Sequence, residues 1–283
     1  MTAMLNKISG SNSTSTKLSG EPTTKTMTLL SLAIETSGRN HSVAVSAAGK
    51  IMVQTDAKSF LSDASAEDGP QGPSSSSLLM PMIQSVFTQA DVQPRQIGLI
   101  SVTNGPGSFT GLRVGVVTAK TLAFSLDCPL VAVDTLRACA IGSAIRHRLD
   151  VGRVLKTVIN AQRGQLFAAS FQVTAGAKRP DARPDCVSLA APQIVDPKQW
   201  VSELNEEDFL TGPGLKMAAR QLEAVMGEMP KLAVEEDAFR DCDVATVAAI
   251  GEQKFHAGEL DSAWNLKPVY FRPSAAEEVR RGK

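Results

Sequence analysis

The sequence has little of what disulfide-linked and metal-binding proteins are built from. Among 283 residues there are four cysteines, with no CxxC pair: Cys128, Cys139, Cys186 and Cys242. This spacing is typical of reduced thiols rather than of a disulfide framework or a zinc site. The three histidines, His41, His147 and His256, are isolated and form no HxxxH or HExxH pair. The sequence therefore predicts no metal site in this chain.

Net charge and long apolar runs are also missing. Lys and Arg number 29, as do Asp and Glu, so the chain has no general basic character with which to bind nucleic acid alone. No apolar run approaches the length that spans a bilayer. The first 26 residues are mostly Ser, Thr, Lys, Asn and Gly and lack the apolar core of a secretory signal. We expect a cytoplasmic protein in which residues 1–27 form a disordered tail, or one whose translation starts at Met27.

The most distinctive stretch is Asn104 to Leu126, NGPGSFTGLRVGVVTAKTLAFSL. A glycine-rich loop leads directly into an apolar helix on which a small residue recurs every fourth position: Gly107, Gly111, Gly115, Ala119 and Ala123. This spacing places them on one helical face. Because glycine costs about 1 kcal/mol in a helix interior relative to alanine, another backbone or a ligand is expected to lie close to that face.

Two interpretations of the loop remain open. A glycine loop at a helix start can present amide protons to a phosphate, but neither GxxxxGK[ST] nor GxGxxG is present. Alternatively, the glycines allow a tight strand-to-helix turn that Ser108 caps. Ser108 also has no histidine at a recognisable triad spacing. Glu35 follows the first strand, and two interpretations of it are open. In ribonuclease H-like folds an aspartate at this position usually orients a metal or water. The alternative is a solvent-exposed carboxylate at a turn.

Apolar patterning predicts an α/β fold made of two ribonuclease H-like subdomains, the arrangement of the actin, sugar kinase and Hsp70 (ASKHA) group. In the first, strands at 28–34, 43–45, 51–53, 97–103 and 129–133 alternate with helices at 78–90 and 109–126. A mobile loop is predicted between Ser59 and Ser77. We place the N-terminal subdomain at 28–134, the C-terminal subdomain at 135–273 and a charged tail at 274–283.

The second half is predicted to repeat the strand and helix pattern of the first half less regularly. A strand at 154–160, a turn and a returning strand at 165–173 open it, and Thr174 to Asp185 reads as a surface loop. Phe209 to Gly214 is a short strand running into a second glycine loop. Helices are predicted at 136–149, 215–226 and 244–257, and the last ordered piece is Pro268 to Pro273.

Four segments resemble the TsaB (YeaZ) family in sequence, order and spacing. They are LSLAIETS from Leu30, NGPGSFTGLR from Asn104, VINAQRGQ from Val158 and PVYFR from Pro268. The resemblance spans residues 27 to the C-terminus. The chain departs from the family pattern in having Glu35 where an aspartate is usual, and in the turn from Asn160 to Gln165, which lacks both of the usual acids. These departures weaken the case for a metal or nucleotide site here.

The resemblance implies a non-catalytic scaffold in a complex that makes tRNA N6-threonylcarbamoyladenosine (t6A). Its partners would be a TsaD-like subunit and a TsaE-like ATPase, which hold the metal and ATP, so this subunit would need no cofactor. Contact with tRNA would be indirect, through the complex, and the isolated chain could form a homodimer. Arg113, Lys120 and Arg163 are candidate tRNA contacts, although each could equally be an ordinary surface cation.

In the family the first two helices of the N-terminal subdomain bind TsaD. The predicted interface residues here are Leu78, Leu79, Met82, Ile83, Val86, Gly111, Arg113, Gly115 and Ala119. The candidate nucleotide contacts, ranked second to a packing role, are Glu35, Thr36, Ser37, Gly105, Pro106, Gly107 and Ser108.

Two enzymatic alternatives accompany the scaffold interpretation. A glycoprotease-type hydrolase would require a metal pair or an activated nucleophile. A small-molecule kinase of the same fold group would require a cleft carboxylate and an adenosine loop, for which Glu35 and Gly212-Pro213-Gly214 are the available residues. We predict no catalytic residues in this chain.

Overall fold

The computed structural model describes residues 28–63, 75–176, 183–229, 231–237 and 240–271. The two tails predicted at 1–27 and 274–283, and most of the loop predicted at 59–77, lie outside these residues. Within them the chain forms two mixed β-sheets with helices packed on and between them.

The first sheet has five strands in the order β3-β2-β1-β4-β5. Strands β1 to β3 are antiparallel neighbours, and β4 and β5 run parallel to β1. Strand β1 is buried along nearly its whole length because both faces of the sheet are covered. The strands are β1 (Leu30–Glu35), β2 (Ser42–Ala47), β3 (Lys50–Asp56), β4 (Leu99–Gly105) and β5 (Leu130–Asp134).

The second sheet repeats the same strand order. Its path β8-β7-β6-β10-β11 corresponds strand for strand to β3-β2-β1-β4-β5, and β9 adds to β7. The prediction of two ribonuclease H-like subdomains of the ASKHA type is therefore confirmed. The strands are β6 (Val154–Asn160), β7 (Leu166–Thr174), β8 (Asp185–Ser188), β9 (Gln193–Val195), β10 (Phe209–Thr211) and β11 (Ala233–Val234).

The helices cover both faces of each sheet. On the outer face of the first sheet lie α1 (Ala57–Asp63), α2 (Ser75–Gln89) and α3 (Phe109–Leu126), and on the outer face of the second lie α5 (Pro197–Ser202) and α6 (Leu215–Met226). Between the sheets lie α4 (Thr135–Arg146) and α7 (Val244–His256), whose apolar residues join both sheets in one core.

The two central helices divide the chain differently from the predicted boundary. Helix α4 packs mainly on β6, β7 and β8, whereas α7 returns to pack on β1 and β4 of the first sheet. Buried Glu252 of α7 accepts hydrogen bonds from the hydroxyls of Ser31 and Ser46, at 3.0 and 2.9 Å. Residues from 244 onward therefore pack with the N-terminal half, and not with a continuous unit at 135–273.

After α7, residues 257–271 form an extended strap that runs antiparallel along α3. The Asp261 carboxylate accepts a hydrogen bond from the backbone amide of Ala132 at 2.7 Å, and Leu266 is buried in the core beneath α3. The Val269 amide donates to the carbonyl of Asn104 at 2.7 Å. The sequence predicted an ordered piece at 268–273, and no strand forms in its described part, 268–271.

Candidate functional site

The small-residue face of α3 lies against the loop that follows β1. A β-carbon added at Gly107 would come within 2.5 Å of the Ser37 carbonyl oxygen, and one at Gly111 or Gly115 would overlap Thr36. The chain's own loop is thus the close neighbour that the glycine spacing predicts. The prediction that Gly111, Gly115 and buried Ala119 form a partner interface is accordingly corrected.

Hydrogen bonds fasten this loop to the start of α3. The Ser108 amide donates to the Ser37 carbonyl at 2.7 Å, and the Ser108 hydroxyl caps the helix by accepting from the Gly111 amide at 3.2 Å. The Thr36 amide donates to the hydroxyl of Thr103 at 3.2 Å. The amides of Ser108 and Gly111 are therefore engaged by the protein itself, which supports the packing interpretation over a phosphate cradle.

Glu35 is buried, with 2% of its surface exposed, and is not the solvent-exposed carboxylate that one interpretation of the turn predicted. Its carboxyl accepts hydrogen bonds from the Ser37 amide, at 2.7 Å, and from the Ser37 hydroxyl. Burial raises the pKa of Glu35 to about 7, although the bonds from Ser37 oppose the shift. Glu35 is thus a buried carboxyl that the loop after β1 holds through Ser37.

The other loop residues are held by the strap. Gly105 has φ of +124°, and a β-carbon there would lie 2.8 Å from the Val269 carbonyl oxygen. Pro106 is buried, and the Gly105–Pro106 peptide bond is cis. The structure thus brings Glu35, Thr36 and Ser37 together with Gly105 to Ser108, as predicted, and fills the space between them with protein. Their role as nucleotide contacts stays a prediction.

The second glycine loop packs against its own sheet in a similar way. Gly212 has φ of +102°, and a β-carbon at either Gly212 or Gly214 would overlap the backbone of Val158. The Gly214 amide donates to the Val158 carbonyl at 2.9 Å. These contacts give the loop a structural role beside β6.

A polar groove of about 470 Å³ opens between the two halves. It is lined by Asn40 and Asp56 of the first half, by Arg146 at the end of α4, and by Asp241 and Asp243 before α7. Asp56 and Asp243 accept hydrogen bonds from backbone amides at the starts of α1 and α7. In the described part of the chain no group of three or more His, Cys, Asp or Glu side chains is placed to hold a metal.

Two long-range clusters were not foreseen from the sequence. Buried Glu235 bonds the hydroxyls of Ser143 and Thr211 and pairs with Arg146, whose Nη2 lies 2.8 Å from its Oε1. All four cysteines are free thiols, and the interaction with Cys139, together with burial, raises the pKa of Cys242. No sequence spacing indicates either cluster, because their members come from different elements.

The predicted contact residues of α2 face inward. Each is at most 7% exposed, because the apolar stripe of α2 packs on the first sheet and on α3. The interface prediction is therefore corrected for Leu78, Leu79, Met82, Ile83 and Val86. Arg113 is the member of the predicted set that lies exposed.

The outer face of α3 carries a stripe that the sequence analysis did not single out. Phe109, Val117 and Phe124 are 39%, 61% and 66% exposed. Their spacing keeps them within about 80° of the helix circumference over about 22 Å. Phe124 meets Trp264 of the strap edge-on, with ring centroids 5.5 Å apart. We call Phe109, Arg113, Val117 and Phe124 the outer face of α3.

Exposed apolar residues are concentrated around this face. Of the thirteen large apolar residues that are exposed in the described part of the chain, eight lie on α2, α3 or the strap: Met80, Phe109, Val117, Phe124, Leu260, Trp264, Val269 and Tyr270. Scattered single apolar residues are normal on a surface, whereas a concentration in one region marks an interaction site. The repeated strand order defines a protein of the ASKHA fold group, and its exposed apolar residues are concentrated on α2, α3 and the strap.

Comparison with known proteins identifies the family. The family model for TsaD, tRNA N6-adenosine threonylcarbamoyltransferase, matches residues 73–253. The tRNA threonylcarbamoyladenosine biosynthesis protein TsaB of Bacillus subtilis (strain 168) is 30% identical over 201 residues, which cover 70% of this chain and 80% of that protein. TsaB of Escherichia coli (strain K12) is 28% identical over 211 residues, which cover 72% and 84%.

A solved structure agrees with the sequence comparisons. YeaZ from Pseudomonas aeruginosa has the same fold, with a TM-score of 0.63, 20% identity and coverage of 86% of this chain and all of that one. The chain belongs to the TsaB (YeaZ) family. The described residues contain no helix that is long and apolar enough to cross a membrane.

Proposed function

We propose that this chain is a non-catalytic accessory subunit in t6A biosynthesis, which acts in the cytoplasm by binding a TsaD-like chain. A TsaE-like ATPase joins the complex, and the partners supply ATP, metal and most of the contact with tRNA. The similarity to TsaB proteins of tRNA threonylcarbamoyladenosine biosynthesis supports the pathway. The concentration of exposed apolar residues on α2, α3 and the strap is the observation that carries the proposal.

The engaged glycine loop supports a binding role over a catalytic one. Thr36 and Ser37 occupy the space beside Gly107, Gly111 and Gly115, so a phosphate could approach this helix face only if the loop moved. The loop instead fixes α3 on the sheet by its inner face. That packing leaves the outer face of α3 free to contact another protein.

The kind of partner follows from the family match. The TsaD family model covers α2 and α3 of this chain, so a TsaD-like chain is expected to present a similar helix pair. Two related surfaces of similar shape can pair about an approximate twofold axis. A homodimer of this chain through the same face is then the competing state of the isolated protein.

Binding of the purified chain to a TsaD-like subunit from the same organism, measured by titration calorimetry, tests the proposal. Val117→Asp should abolish binding, because it places a charge in the contact. Val151→Asp is the matched control, since Val151 is 68% exposed and lies away from α3, before β6. Absence of binding by the unmodified chain, or equal effects of the two variants, would overturn the proposal.

A further inference from the structure

The strap at residues 257–271 carries four of the eight exposed apolar residues described above. Trp264 is 77% exposed, Leu260 52%, Val269 43% and Tyr270 42%. Hydrogen bonds to β4 and β5 fix the strap near both of its ends. Such large exposed side chains are unusual in a segment that is attached so firmly.

Two basic residues of α3 hold the strap in place. The Lys120 ammonium donates to the carbonyls of Trp264 and Leu266, at 3.3 and 3.0 Å. The Arg113 Nε donates to the Tyr270 hydroxyl at 2.9 Å, and its guanidinium lies over the Phe109 ring at 3.9 Å. These contacts order the strap beside the outer face of α3.

Aromatic contacts join the strap and α3 into one surface at both ends of the helix. Phe109 packs on Tyr270 with ring centroids 5.0 Å apart, and Phe124 packs on Trp264 at 5.5 Å. Val117 lies between these two pairs along the helix. The strap and the outer face of α3 therefore contribute apolar residues to the same side of the molecule.

The strap contributes a large share of the exposed apolar area in this region. If a fully exposed large apolar residue presents about 150–250 Å², the eight residues together expose roughly 800 Å². A standard-size protein interface buries about 800 Å² on each partner. Leu260, Trp264, Val269 and Tyr270 of the strap supply about half of this exposed apolar area, so a partner that covers the surface would contact the strap as well as the helices.

We infer that the strap forms part of the docking surface for the TsaD-like chain, with Trp264 as its main anchor and Lys120 as the residue that positions it. This inference rests on the proposed function. Tryptophan is a frequent source of binding energy at protein interfaces. A second copy of this chain is the alternative occupant and is distinguished by the test below.

Calorimetric titration of the TsaD-like subunit with strap variants of the full chain tests the inference. Trp264→Ala should weaken binding at least tenfold while leaving the melting temperature nearly unchanged, because the residue is exposed. Leu260→Ala and Leu189→Ala form a matched pair at 52% and 51% exposure. The first should weaken binding measurably, and the second, which lies on the other half, should not.

Lys120 requires a separate variant. Lys120→Met keeps the aliphatic stem and removes the donor, so binding should weaken severalfold and should recover in Lys120→Arg. Undiminished binding by Trp264→Ala, while Val117→Asp abolishes it, would overturn this inference and leave the proposed function standing. If Trp264→Ala abolished self-association of this chain but left its binding to the TsaD-like subunit unchanged, the inference would also be overturned. Failure of the unmodified chain to bind TsaD would refute the proposed function itself.

Discussion

Replacing Glu35 by glutamine should make the protein more stable above neutral pH and change how its stability depends on pH. The carboxyl of Glu35 is buried behind the loop that follows β1 and bonds to Ser37. Its pKa is raised from its ordinary 4.5 to about 7. The folded state therefore holds a proton that the unfolded state has already released between these pH values.

The sign and size follow from linkage. Because the pKa is higher in the folded state, the stabilising effect of protonation is fully present below pH 4.5 and is lost as pH rises through 7. At about 1.4 kcal/mol for each tenfold change in proton affinity, the loss above pH 8 is on the order of 3 kcal/mol. Glutamine resembles the neutral carboxyl, and its carbonyl oxygen can still accept from Ser37 without a titratable proton.

Urea unfolding at pH 5 and pH 8.5 measures the effect. The free energy of unfolding of Glu35→Gln, relative to the unmodified chain, should rise by about 2–3 kcal/mol between the two pH values. Glu228→Gln, at an exposed carboxyl near the end of α6, controls for removal of a charge and should show no comparable rise. If the free energy of unfolding of Glu35→Gln differed from that of the unmodified chain by the same amount at both pH values, the reasoning would be refuted. The effect of glutamine would then not depend on a buried neutral carboxyl.

Three further changes test the packing. Gly115→Ala should lower the free energy of unfolding by several kcal/mol in urea titrations, because its methyl group would overlap Thr36. The control Gly227→Ala should be neutral or slightly stabilising, because the space around Gly227 is open. Ser101→Ala should leave the thermal midpoint unchanged or higher, since that buried hydroxyl has no hydrogen-bond partner in the described part of the chain; a marked loss would contradict this. Glu235→Ala should cost about 3–5 kcal/mol in the same assay, because it removes the buried carboxylate that pairs with Arg146 and accepts from the hydroxyls of Ser143 and Thr211, and a cost below about 1 kcal/mol would contradict it.

The sequence predicted the sheets better than it predicted the surface. Apolar runs and turn residues located β6 at its observed bounds, and the glycine spacing correctly required a close neighbour for α3. The short elements α1, β8, β9 and α5 were missed because each has few residues, and α1 and β8 lie within or beside polar stretches that read as loops.

Other features could not be predicted because they depend on tertiary contacts. Helix α3 is apolar on nearly every side, so its sequence does not distinguish the face that meets the loop after β1 from the face that stays exposed. The strap has no periodic pattern, and its position is set by Lys120 and Asn104, more than 140 residues earlier in the chain. The return of α7 to the first sheet includes the bond between Glu252 and Ser31, which are 221 residues apart in the chain.

Titration of the unmodified chain, Val117→Asp and Val151→Asp with the purified TsaD-like subunit tests the central claim most directly. The proposed function predicts a one-to-one complex for the unmodified chain and for Val151→Asp, and none for Val117→Asp. A chain that remains separate from the TsaD-like subunit, or a complex that forms equally well with Val117→Asp, would contradict it.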